Sequence, residues 1–474
     1  MNERLRWLIS IVAALALLDG SLALLDRREE KTREFHPGDP LVAFEPAGVA
    51  KVILTRPNKK PLVLARTQGG SWVVATAKDF PVRPNKVEQT LARMKTWKRD
   101  RIAGDAGVHD KFSATKEKGI SIKVEDFAGE TLSEVIIGSL TGVDTEEARK
   151  NSGNLDPKTM GRYMREARED TVYVVSDFVT GEFEPDDQEW FERPITGGDE
   201  SKVVRLAVKR RTGEQFMVAF DAPYPRLAGP EPRPVDVDKA RAIAREVVQA
   251  YAVETIDGDD KALGLQPPLL VAEVVFSDSP RPVQLVVGDV APPSSTVVAS
   301  YVARVPDKPG PLLVPQSALA QVMSATSDSL LLQHVFGEKI ASNVSRVSLR
   351  VGPKTTSITR DGASWTVSYV ASGMTAAPRK LDPANDAKRV RAFTAALQLP
   401  VAQFDPVGAA GHGLAPPSGE LSVELNNGHE KHELQVGNGE GSLLWVRRSD
   451  MACALAVPAE AWLELEAAVE ALAE

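Results

Sequence analysis

The sequence predicts an α+β fold: three tandem repeats of antiparallel strands with one amphipathic helix each, preceded by one N-terminal transmembrane helix. Three observations predict it. Val49-Ala50-Lys51-Val52-Ile53-Leu54 is restated by Val344-Ser345-Arg346-Val347-Ser348-Leu349, and Gly70-Ser71-Trp72 by Ala363-Ser364-Trp365. Leu263-Gly264-Leu265-Gln266-Pro267-Pro268 is restated by His412-Gly413-Leu414-Ala415-Pro416-Pro417. A strand ending in glycine recurs three times, at Ile136-Ile137-Gly138, Val286-Val287-Gly288 and Gln435-Val436-Gly437. Repetition on this scale marks a scaffold, because a catalytic constellation need occur only once.

The boundaries this implies are residues 1–40 for a membrane anchor and juxtamembrane segment, then 41–197, 198–339 and 340–474 for the repeats. A chain of 474 residues is long enough for about three domains. With 43% hydrophobic and 26% charged residues it is ordinary globular material. A net charge of −8 gives no basic face for phosphates, so nucleic acid is not expected as a partner. The single cysteine, Cys453, allows neither an intramolecular disulfide nor a multi-cysteine metal site. It reads as a small buried hydrophobe.

Leu5–Leu25 is apolar apart from Arg6, Asp19 and a few small residues. About 20 residues cross a bilayer, so the stretch suffices for one span. Arg4 and Arg6 before it place the N-terminus in the cytoplasm by the positive-inside rule, and the bulk of the chain in the periplasm or another extracytoplasmic space. The competing reading is a cleaved signal peptide, with Leu8–Leu18 as its apolar core and Ser21-Leu22-Ala23 before the cut. Both readings export the repeats. Asp19 costs about 2.5–3.5 kcal/mol at mid-span, which makes it a candidate contact with a partner's membrane helix. Its alternative place is the outer interface.

In the first repeat, Val49–Leu54, Pro61–Arg66 and Ser71–Ala75 read as strands, followed by a helix whose Val87, Leu91, Met94 and Lys98 share a face. Ile120–Asp126, Glu134–Gly138, Arg162–Arg165 and Thr171–Ser176 follow as a meander. The second repeat has its helix at Asp238–Tyr251 with Asp238 as N-cap. The third has Asn385–Leu397, then strands Glu420–Asn426, Lys431–Gly437, Leu443–Arg447 and Cys453–Val457, with Asn427-Gly428 as a hairpin turn. Ala459–Leu472 closes the chain as a helix with Trp462, Leu465, Val469 and Leu472 on one side. Two polar inserts, Thr141–Met160 and the proline-rich Asp221–Pro234, read as exposed connections.

Signatures of chemistry are sparse. Gly437-Asn438-Gly439-Glu440-Gly441 joins two strands, and a phosphate loop needs a helix behind it. His429 and His432 fall on opposite faces of a strand, the wrong spacing for one metal. Ser113-Ala114-Thr115-Lys116 matches a short nucleophile motif without its companions. No enzymatic activity, cofactor or metal is therefore expected. Lys95-Thr96-Trp97-Lys98-Arg99-Asp100-Arg101 follows a helix, where cations complement the dipole. Its other reading is contact with anionic headgroups through Trp97, Lys98, Arg99 and Arg101.

These features together resemble the bacterial family known as domain of unknown function 4340. The residues that carry the likeness are Val49, Val52 and Leu54; Arg66 and Trp72; the Gly264-Leu265/Pro267-Pro268 and Gly413-Leu414/Pro416-Pro417 turns; Gly288 with Tyr301-Val302 and Arg304; and Gly437 with Trp445-Val446 and Arg447. The first repeat departs from it, since Phe112–Ile120 holds no Gly-Leu-x-Pro-Pro, and the second lacks the tryptophan. The resemblance implies a non-enzymatic, single-pass inner-membrane protein that acts as accessory subunit of an ABC-type transport complex of the gliding-motility kind. It assigns no catalytic residues. A cell-envelope glycan- or lipid-binding module is the alternative, and an exported hydrolase using Ser113 or an acidic pair stands behind both.

Overall fold

The structure is a computed structural model and describes residues 35–141, 161–176, 183, 187–221, 224–230, 232–292, 298–337, 340–371, 374–406, 408 and 411–474. It is mostly antiparallel sheet with a few helices. The chain divides between Glu192 and Arg193 into two compact units. The first holds one large sheet and the second holds two.

The three sheets share one topology. In the first, the strands in chain order are Val49–Thr55, Leu62–Arg66, Trp72–Val74, Phe80–Pro81, Arg101–Gly104, Ile120–Asp126, Thr131–Leu140, Arg162–Glu166 and Val172–Val175. Across the sheet they lie in the order 4-3-2-1-6-7-8-9-5. The second sheet (203–315) repeats this order, and the third (344–458) repeats it with one extra short strand, Arg379–Lys380, on its third strand. The chain therefore leaves one edge after the fourth strand and re-enters at the opposite edge with the fifth. The helix sits in that crossover: Lys86–Thr96, Val237–Val248 and Ala387–Ala396. A helix spanning an antiparallel sheet from edge to edge covers one face of it, which is the α+β arrangement.

Strand alternation supplies the sheet half of each core. Along Val49–Thr55, Val52 and Leu54 are buried while Lys51, Ile53 and Thr55 are partly exposed. The helix half comes from Val87, Leu91 and Met94 in the first sheet, at i, i+4 and i+7. In the second it comes from Ala240, Ile243, Ala244 and Val247. In the third, Phe393 and Leu397 share one cluster with Val347, Leu349, Val423 and Val436. Trp72 and Trp365 are buried core residues, and Trp365 meets Phe393 edge-on at 5.9 Å.

Local chemistry moves several expected boundaries. The second helix is capped by Asp236, whose carboxylate accepts from the backbone N–H of Asp238 at 3.1 Å and Lys239 at 3.2 Å. Asp238 sits in the first turn instead. The first helix ends at Thr96, so Lys98 belongs to a short strand with Arg99 and not to the helical stripe. The proline-rich stretch 221–234 is more than a connection: Arg226–Leu227 and Arg233–Pro234 pair as the third and fourth strands of the second sheet. Asn427-Gly428 does turn the hairpin, with Asn426, Asn427 and Gly428 all at positive φ. Of Thr141–Met160, expected to be an exposed loop, Thr141 is buried and accepts from Gly161 N–H at 2.8 Å, and residues 142–160 lie outside the described residues.

Within the second unit a strap, Leu331–Gly337, joins the two sheets. Leu332 N–H donates to Pro234 O at 3.0 Å, Val335 N–H to Leu399 O at 2.9 Å, and Val401 N–H to Gln333 O at 2.8 Å. Arg448 Nη1 adds a bond to Val335 O at 2.7 Å. Among the described residues no helix is long and apolar enough to cross a membrane. Leu5–Leu25, with Asp19, lies outside them.

Candidate functional site

The recurring glycine motif has a physical reason that the three sheets reveal together. After its fifth strand each repeat sends a loop across the outer face of its own sheet, away from the helix. One backbone bond fixes the loop: Ser139 N–H to Phe112 O at 2.8 Å, Asp289 N–H to Leu263 O at 3.1 Å, and Asn438 N–H to His412 O at 2.7 Å. The residue just before each donor is Gly138, Gly288 or Gly437. A Cβ there would collide with the carbonyl of Phe112, Leu263 or His412 respectively. Glycine is required because the loop backbone lies directly on the strand backbone.

Side chains seal the same contact differently in each sheet. Phe112 stacks on Tyr163 with ring centroids 3.9 Å apart, and His412 stacks on Trp445 at 3.8 Å. In the second sheet Leu263 packs against an aliphatic cluster of Leu265, Val302 and Leu313. His412 Nε2 also lies 2.8 Å from Asp405 Oδ2, and Trp445 Nε1–H donates to Glu440 at 3.1 Å.

Two residues beyond the aromatic position comes an arginine in every repeat. Arg165 Nε–H donates to Ala114 O at 2.8 Å, Arg304 pairs with Asp260 at 2.5 Å, and Arg447 Nη2–H donates to Gln435 at 2.6 Å. Arg165 is buried, and its Nη1 also donates to the carbonyls of Glu166, Ala167 and Glu169. Burial lowers its pKa, yet a guanidinium stays charged. Arg165 and Arg304 thus tie loop to sheet, while Arg447 bonds across to the neighbouring strand.

The uncovered part of each outer face is where the sheets diverge. In the first, Lys51 faces Glu125 and Ile53 faces Lys123. Glu125 takes Lys123 at 2.6 Å and Lys51 at 3.1 Å, while Glu134 takes Lys116 at 2.5 Å and the Ser121 hydroxyl at 3.0 Å. The Lys123 hydrogen bond, reinforced by Lys51, holds the Glu125 carboxyl below its usual range against the opposing effect of burial. In the third sheet the equivalent pairs are Arg346 with Glu424 and Ser348 with Ser422. The short serine side chains leave a depression of about 250 Å³, bounded by Arg350, Thr355, Glu420, Glu433 and Gln435. Ser357 donates its hydroxyl to Ser348 at 3.1 Å, and Arg350 pairs with Glu420 at 2.6 Å. Hydroxyls, an amide and a paired guanidinium can exchange hydrogen bonds with a polar ligand.

The headgroup candidates separate in the structure. Trp97 is fully buried and meets Phe183 edge-on at 5.6 Å, which corrects its reading as an interfacial ring. The physical reason is local: Leu41 N–H donates to Trp97 O at 2.8 Å, and the strand pair Asp39–Pro40 with Lys98–Arg99 lays the preceding chain beside the tryptophan. Arg99 is committed as well. Its Nη2 donates to Glu169 at 2.8 Å and its Nη1 to the Tyr173 hydroxyl at 3.2 Å, with the guanidinium over the Tyr173 ring at 4.6 Å. Burial works against that charge, but Glu169 outweighs it and raises the pKa. Lys98 and Arg101 remain exposed.

The other sequence candidates do not assemble. Ser113 holds positive φ in a loop, and Lys116 is paired with Glu134. His432 Nε2 lies 2.7 Å from Glu430 Oε1, while His429 sits in the hairpin turn. No group of metal-ligating side chains occurs among the described residues. Cys453 is buried, and burial pushes its thiol up to about 11. The sequence marks Arg165 only through its equivalence to Arg304 and Arg447, and offers no signal for the serine-floored depression, which depends on which strands become neighbours.

No curated protein and no solved structure matches the chain. The family described as Domain of unknown function (DUF4340) matches residues 72–268, from the Trp72 strand of the first sheet to the Pro267-Pro268 turn of the second, and the chain carries that domain.

Proposed function

We propose that this is a non-enzymatic, membrane-anchored extracytoplasmic protein that acts by binding, as accessory subunit of an ABC-type transport complex. Leu5–Leu25 anchors it in the inner membrane with the N-terminus in the cytoplasm, and the sheets lie outside. One observation carries the reading. The glycines that recur through the repeats seat each loop on its sheet, whereas on the uncovered outer faces Ile53 and Lys123 of the first sheet stand where Ser348 and Ser422 stand in the third. A constant frame with varied faces suits recognition of a large partner. Crosslinking in intact cells, followed by membrane purification and mass spectrometry, tests it. Recovery of a permease and its ATPase is the expected result. Recovery of the protein without transporter subunits would remove the reading. Asp19→Leu then asks whether the membrane helix makes the contact.

The depression on the third sheet favours a second reading, an envelope glycan-binding module. Its lining is hydroxyl, amide and ion pair, the groups that complement vicinal sugar hydroxyls. Calorimetric titration with envelope glycan fragments tests it, with Ser422→Lys as the blocked control. Equal heats from both proteins would sink it, and retention of lipid instead of glycan would assign the module to lipid.

A further inference from the structure

We infer that the edge of the first sheet marked by Ile102, Arg101 and Lys98 rests on the anionic bilayer surface in which Leu5–Leu25 is anchored. The inference rests on the proposed anchor and goes beyond it by assigning the face of the first unit that meets lipid.

The chain that follows the anchor is fixed to this edge. Phe35 stacks on Tyr173 with centroids 5.8 Å apart. Gly38 N–H donates to Arg99 O at 2.9 Å, and Asp39–Pro40 pairs with Lys98–Arg99. Nine residues, 26–34, lie between Leu25 and Phe35. Ten Cα–Cα steps reach at most about 36 Å when fully extended. Phe35 therefore stands no farther than about 36 Å from the end of the proposed span. In the sheet register Tyr173 lies opposite Ile102 on the edge strand Arg101–Gly104. Directly opposed residues of an antiparallel pair share a face, so Ile102 stands beside the attachment point.

The exposed chemistry of this edge fits lipid. Ile102 is 49% exposed and presents an aliphatic side chain to solvent on the edge strand. Lys98 and Arg101 are exposed, and neither has an ion-pair partner among the described residues. Of the nearby acids, Asp100 accepts from Ser176 N–H at 2.6 Å and Asp105 from the Thr171 hydroxyl at 2.9 Å, bonds that orient the two carboxylates without removing their charge, and Asp39 is exposed. Two cations beside an aliphatic side chain, on a short tether, match an anionic interface.

The full chain reconstituted in nanodiscs provides the test. An environment-sensitive fluorophore is placed at Ile102→Cys or, for comparison, at Phe127→Cys, which is 69% exposed on the turn between the sixth and seventh strands. The buried native Cys453 does not compete for label. Spin-labelled lipid should quench position 102 several-fold more than 127, more in phosphatidylglycerol-containing discs than in pure phosphatidylcholine. Lys98→Glu with Arg101→Glu should bring 102 down to the level of 127. Equal quenching at both positions, or no response to the charge reversal, would overturn the proposal while leaving the anchor intact. A label shielded from water but unquenched by lipid would assign the edge to a protein partner and also overturn it. Failure of the chain to enter nanodiscs would remove the anchor and this inference together.

Discussion

The first and third sheets have the same strand order and the same loop contact, yet they are finished differently on both faces. On the inner face the first sheet has one helix, and Phe183, Trp190 and Phe191 are fully buried after its last strand. The third sheet has two, because its chain continues from the last strand directly into Ala459–Ala473, which buries Trp462, Leu465, Val469 and Leu472. On the outer face both sheets carry basic residues opposite glutamates, but Ile53 and Lys123 of the first give way to Ser348 and Ser422 in the third. The recurrent parts are therefore those that fix strand order, and the variable parts are those that a partner or ligand would meet. A fold can change its faces freely once backbone contacts hold its frame.

The frame can be broken at its core most severely. Phe393→Ala in the third sheet should cost about 3–5 kcal/mol, and Leu91→Ala in the first about 2–5 kcal/mol. Urea denaturation measures both, and an unchanged midpoint for either would mean the helix is not integral to its sheet. Next come the contact glycines. Gly138→Ala and Gly437→Ala should each lose about 1–3 kcal/mol, since backbone on both sides leaves a methyl nowhere to go. Gly439→Ala is the internal control: the nearest atom to its Cβ would be Leu443 O at 3.6 Å, an ordinary contact. Equal losses at 437 and 439 would show that glycine content, not the loop contact, governs stability.

Smaller effects sharpen the contrast between the faces. His412→Phe gives the third sheet the aromatic of the first. It should keep the stack on Trp445 and forfeit about 0.5–1.5 kcal/mol with the bond to Asp405, read by thermal melting. Glu125→Gln tests the ion-pair cover. The folded-state pKa of Glu125 is lowered, so its contribution is complete above the ordinary carboxylate pKa and lost as pH falls through the folded value. The variant should be slightly less stable at neutral pH and show a flatter decline on acidification. An identical acid profile would mean the pairs with Lys123 and Lys51 contribute nothing. Ser422→Lys, which gives the third sheet the residue that the first carries as Lys123, should change stability by no more than about 0.5 kcal/mol. A larger loss would show that the depression is a packing feature and not a free surface.

By itself the sequence determined the repetition, the strands and the helix faces. Period-2 burial along Val49–Thr55 and helical spacing of Val87, Leu91 and Met94 are local patterns, written in adjacent residues. It also marked Gly138, Gly288 and Gly437 as equivalent, without the reason. Only the tertiary structure supplied that reason, because the carbonyl that forbids a side chain at Gly138 belongs to Phe112, on a different segment. The same holds for Trp97. Its neighbours Lys98, Arg99 and Arg101 gave it the look of an interfacial ring, and the pairing of residues 39–40 with 98–99 placed it inside. The turn of two short strands within 221–234 was equally illegible, since four residues carry too little pattern to register as strands. Local periodicity fixes which residues face one way, but exposure depends on what distant segment folds over them.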